Sequence, residues 1–200
     1  MPSTLQVDKI IDSSATTNKE LAEYASGNWS WGSGVPAGSV LQVQSVVVTD
    51  RASSADQNTS GTGTDVGLNV TITPKKSGSY FFIQCSIGIG TTDSDSWGII
   101  LSRDGTKIGN GVDSSNRKGV FFRGPDHAGS SGSDDNHGVG ASNHYVDKTG
   151  STAGTSITYK CGLVTQGSTA YINRAEGNYD TNLVYGSYTS SSVTVMEIAQ

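Results

Sequence analysis

The stretch Ile72-Thr73-Pro74-Lys75-Lys76-Ser77-Gly78-Ser79-Tyr80-Phe81-Phe82-Ile83-Gln84-Cys85 decides the fold. Pro74 to Gly78 has turn chemistry, and Tyr80 opens a run of aromatic and β-branched residues that favours an extended backbone. Side chains alternate between faces of a strand, so Phe81, Ile83, Cys85, Ile87 and Ile89 share one face, the face of a core. The chain closes on a second such run, Ser191-Ser192-Val193-Thr194-Val195-Met196-Glu197-Ile198. A terminal strand carries backbone donors and acceptors that need a ladder within the domain or with a neighbour. Both runs predict antiparallel pairing.

Working outward, the same texture recurs. Gly supplies 26 of 200 residues, about twice the ~7% of ordinary proteins. Only 16% of residues are charged, fewer than a disordered chain carries. Strands are expected at 39–49, 64–73, 79–90, 95–103, 106–110, 118–123, 155–165, 168–174 and 189–198, with turn residues between them. That spacing predicts an all-β domain over residues 39–200, an antiparallel sandwich or barrel. Asp104-Gly105 is the clearest hairpin, because this pair accepts the positive φ that a type I′ turn demands. Residues 124–154 hold little that is apolar and are expected to form a long loop.

Residues 1–38 read differently. Leu5, Val7, Ile10 and Ile11 form a short apolar segment, and Thr17 to Glu20 resembles a capping box that would open a two-turn helix through Leu21 and Tyr24. Trp29 and Trp31 follow in a Gly- and Ser-rich loop. Such a stretch has no core of its own, so it is expected to be an extended or helical segment whose apolar residues dock on a partner.

Charge excludes some partners. A net charge of -5 and a pI near 5.0 argue against nucleic acid, which needs a basic stripe. No apolar run approaches the ~18 residues of a membrane helix, and the N-terminus lacks the pattern of a signal peptide. A soluble protein made in a cytosol is expected. Cys85 and Cys161 both fall on core-facing positions. They are expected as buried thiols, with a bridge the alternative if their strands are neighbours.

Catalytic chemistry finds no foothold. No nucleophile elbow, phosphate loop or dinucleotide fingerprint is present, and no pair of carboxylates stands out. No catalytic residue and no cofactor is expected. His127, His137 and His144 are the weak metal candidates, being imidazoles near Asp126, Asp134 and Asp135 but at irregular spacing. Asp93 and Asp95 read as a polar hairpin tip. Tyr179, Tyr185 and Tyr188 are a better lead, since tyrosines in a Gly- and Asn-rich stretch suit interfaces and sugar-stacking surfaces.

Two resemblances add to this. Ser3-Thr4-Leu5-Gln6-Val7-Asp8-Lys9-Ile10, followed by the strand from Gly38 to Val43, resembles the start of structural proteins of marine cyanobacterial phages and their relatives. Pro74, Gly78 and Tyr80 to Phe82, the Leu101 to Gly105 hairpin and the terminal run at 191–196 are similar to jelly-roll heads of the tumour-necrosis-factor and complement type. The resemblance implies a homotrimeric virion protein, a capsid decoration or short fibre assembled in a bacterial cytoplasm. It would dock on the major capsid protein or a tail protein through Leu5, Val7, Ile10, Ile11, Trp29 and Trp31. The alternative is a tail-fibre head binding host-surface polysaccharide through Tyr179, Tyr185 and Tyr188.

Overall fold

The computed structural model describes residues 9–12, 19–25, 28–31, 35–56, 61–91, 96–115, 119–124, 138–165, 169–174 and 189–200. Their regular structure is strand throughout. Near the N-terminus β1 (Lys9–Asp12), β2 (Lys19–Ala25) and β3 (Asn28–Trp31) form a three-stranded antiparallel sheet. The expected helix through Leu21 and Tyr24 is therefore corrected from Lys19 onward. A two-turn helix closes few hydrogen bonds against a costly nucleus, whereas β2 is laddered on both sides, with Ile10 opposite Ala22 and Trp29 opposite Tyr24.

The remaining strands are β4 (Val40–Val48), β5 (Ala52–Ser54), β6 (Asn69–Ile72), β7 (Tyr80–Thr91), β8 (Trp97–Arg103), β9 (Thr106–Lys107), β10 (Phe122–Arg123), β11 (Gly138–Asp147), β12 (Ile157–Thr165), β13 (Ala170–Ile172) and β14 (Ser191–Ile198). They make two antiparallel sheets. The first runs β4-β14-β7-β11, with β13 and β5 continuing along the β14 side of β7. The second runs β6-β12-β8, and both β9 and β10 lie along the outer edge of β8. Nested pairing follows: β4 with β14, β6 with β12, β7 with β11, and β8 with β9 and β10. First-with-last pairing of this kind, folded over two sheets, is the jelly roll.

The core lies between the sheets. Phe81, Ile83, Cys85, Ile87 and Ile89 enter from β7, and Ile157, Tyr159, Cys161 and Leu163 from β12, all buried as the alternation predicts. Phe81 and Tyr159 meet across the gap with ring centroids 5.8 Å apart. The Asp104-Gly105 hairpin forms as expected, with φ of 47° and 80° at its two central residues.

The long loop expected over 124–154 needs the second correction. Its residues 138–147 are β11, which pairs with β7 from Gly138 opposite Gly90 to Asp147 opposite Phe81. Gly, Ser and Asn are poor strand formers, but here Tyr145 and Ala141 pack on the core and Asn143 donates to the Phe121 carbonyl at 2.9 Å. Tertiary pairing outweighs propensity.

Two buried carboxylates, Glu197 and Asp147, stand on either side of Phe81 and tie one end of the sandwich. Glu197 on β14 accepts from the backbone N–H groups of Lys75 and Lys76, from the Ser79 hydroxyl at 2.7 Å and from Gln42 Nε2 at 2.6 Å. Asp147 accepts from Tyr159 Oη at 2.8 Å, from the Thr149 N–H and from the Arg103 guanidinium at 3.0 Å. Each holds a turn against a strand and satisfies its charge locally, as a buried charge must.

Candidate functional site

The face of the β4-β14-β7-β11 sheet turned away from the core is the candidate site. On β7 the outward residues are Tyr80, Phe82, Gln84 and Ser86, between the core-facing Phe81, Ile83 and Cys85. Register then sets what lies beside them. Val43, Met196, Phe82 and Val146 stand opposite one another and form an apolar row across all four strands. Below it Val40, Ile198 and Tyr80 form a second row, with the Lys148 ammonium 5.8 Å from the centre of the Tyr80 ring. Above it run Ser45, Thr194, Gln84 and His144, and then Val47, Ser192, Ser86 and Ser142.

Among the described residues this face is nearly uncharged, apolar in its two lower rows and along β4 at Val47, and polar elsewhere. Val40, Val43 and Val47 are each at least 50% exposed, which is unusual for three valines on one strand. Its acidic neighbours turn away: Glu197 and Asp147 are both buried on the other side of the sheet. The Ser45 and Thr194 hydroxyls bond each other at 2.9 Å, which removes donors from the surface. A contiguous apolar patch of this kind marks an interaction surface.

The residues singled out in the sequence are placed unevenly. Ile10 and Ile11 lie on β1 and are 46% and 44% exposed. Trp29 and Trp31 fall at alternate positions of β3. Leu5, Val7, Tyr179, Tyr185, Tyr188, His127, His137, Asp93 and Asp95 lie outside the described residues. His144 is on β11, exposed, with its ring stacked on Phe82 at a centroid distance of 5.5 Å and an angle of 22°. Among the described residues no three His, Cys, Asp or Glu side chains come together as metal ligands would.

The two thiols are free and buried, on facing sheets. A hydrogen bond with Cys85 and burial together push the Cys161 thiol well above the ordinary cysteine range. Cys161 therefore stays protonated and unreactive, since the thiolate is the nucleophile.

The outer face was missed in the sequence, although a signal existed. Strict alternation fails at Tyr80-Phe81-Phe82-Ile83, at Val46-Val47-Val48 and at Val195-Met196, where consecutive residues are apolar. Strands apolar on both faces are covered on both faces. No family model matches the chain, and no curated protein matches it at a significant level.

Proposed function

We propose that the chain is a structural protein of a phage particle. It is a homotrimer whose jelly-roll domain forms a capsid decoration or short fibre, and its residues 1–38 dock it on the particle. The observation that carries this reading is the outer face of the β4-β14-β7-β11 sheet. Four strands ~4.8 Å apart and about eight residues long at ~3.3 Å each cover roughly 500 Å² in projection. Side-chain relief brings that toward the ~800 Å² per partner of a stable interface.

A second copy of the chain is the occupant that fits. The chain carries a net charge of -5, so most approaches of one copy to another are repulsive. Among the described residues the outer face offers an approach with no carboxylate in the way. The number three comes from the resemblance to trimeric jelly-roll heads, and cyclic closure would keep such a contact from growing into fibres. Ile10 and Ile11, exposed on β1, suit the docking role given to the N-terminal segment.

A cryo-EM map of particles from the source of the chain tests the reading. Trimeric density on the capsid lattice or at the tail is the expected result, and the tail position would make the chain a receptor-binding head. Absence from every particle would overturn it.

A further inference from the structure

We propose that His144 makes self-association through this face depend on pH, the assembly holding at neutral pH and loosening as the imidazole takes up its proton. The inference rests on the self-association proposed above and concerns the regulation of that same surface. His144 sits beside the apolar row, opposite Gln84 and stacked on Phe82. Whatever covers Phe82 and Val146 also covers the imidazole.

A neutral ring is compatible with that burial. An imidazolium is not, unless a carboxylate meets it. Among the described residues none is at hand within one copy. On its own strand the outward neighbours are Ser142 and Val146; on β7 they are Phe82 and Gln84; on β14 and β4 the same row continues with Thr194 and Ser45. The titratable groups on these four strands' outer face are Tyr80 and, just past the end of β11, Lys148, a cation that repels another cation. Glu197 and Asp147 are buried on the far side and already occupied by Ser79, Gln42, Arg103 and Tyr159. The Phe82 ring attracts a cation, but that attraction is smaller than the desolvation of an unpaired charge.

Linkage then fixes the sign. A histidine side chain that must be neutral to associate weakens association about tenfold per chain between about pH 7.5 and about pH 5.5. Three chains would give roughly a thousandfold. Sedimentation velocity on the full chain at those two pH values, for the wild type, His144→Gln and His144→Arg, reads this directly. The side chain is exposed, so the fold should survive both substitutions.

The expected result is a wild type that associates at the higher pH and dissociates at the lower. His144→Gln should associate at both, and His144→Arg weakly at both. A wild type that associates equally at both pH values overturns the inference and leaves the self-association standing. An equal loss in the wild type and His144→Gln also overturns it, because another group would be titrating. A wild type and His144→Gln that stay monomeric at both pH values would remove the self-association itself.

Discussion

At Glu197 a carboxylate is fully buried and yet costs the fold little, because four donors from two separate segments, β4 and the turn at 75–79, converge on it. Truncating it would strand the Lys75 and Lys76 N–H groups without acceptors and leave the Gln42 amide only the Thr73 carbonyl. Glu197→Ala is therefore expected to lose about 3 kcal/mol in urea denaturation, the scale of breaking a buried, hydrogen-bonded charge. A loss under about 0.5 kcal/mol, the size of a surface substitution, would show that water replaces the carboxylate. Cys161 gives a prediction of a different kind. Its folded pKa is raised, first by the hydrogen bond with Cys85 and then by burial, so above the unfolded value of ~8.5 the unfolded chain binds fewer protons than the folded one. The stability this thiol contributes is thus present below that pH and lost as pH rises above it. Tyr159 acts in the same direction, raised by burial and by the Asp147 carboxylate. Denaturation midpoints should fall between about pH 8 and about pH 10, and less steeply in Cys161→Ala. Identical slopes in the two proteins would deny Cys161 that role.

Among the elements, β11 is where sequence reading and structure part most clearly. Its Gly138, Gly140, Ser142 and Asn143 have the composition of a loop, and what makes them a strand is ten residues of register with β7. That pairing is set by a strand about fifty residues away in sequence, which local propensity does not record. A direct check follows from Gly140, where an added Cβ would meet nothing within 4 Å and the backbone φ is not positive. In a strand Gly140→Thr should raise stability by about 0.5 kcal/mol, since glycine is a poor strand former and threonine a good one. In a loop the change would be neutral, and a thermal melt separates the two. By contrast β7, β12 and β14 were legible because their alternating apolar residues belong to a two-sided sandwich and fall on one face. The Asp104-Gly105 hairpin was legible for a local reason, the positive φ at both residues. The β2 segment misled because a capping box is a local signal. The ladders to β1 and β3 that overrule it are not local.

For the whole molecule the decisive asymmetry is between the two outer faces of the sandwich. The sheet containing β8 is covered on its outside, where Ile100 and Ser102 are buried and Val120 lies over Gly98. The sheet containing β7 leaves Val43 and Val47 at least half exposed around a row of apolar neighbours. Sequence showed the apolar residues but not which sheet would be left uncovered, since that depends on where the connections cross. If a second copy covers this face, a charge placed in the apolar row must be desolvated in every chain and meet its own like in the neighbour. Val43→Glu supplies that charge at an exposed position on the edge strand β4, where the free chain can solvate it. The variant is expected to sediment as a monomer at concentrations where the wild type associates, with its circular dichroism and melting temperature little changed. Val112→Glu is the matched control, because Val112 is 93% exposed and lies outside these four strands. The control should associate like the wild type. If Val43→Glu also associates unchanged, the apolar row is not the contact between copies, and its cover must be sought in a different partner.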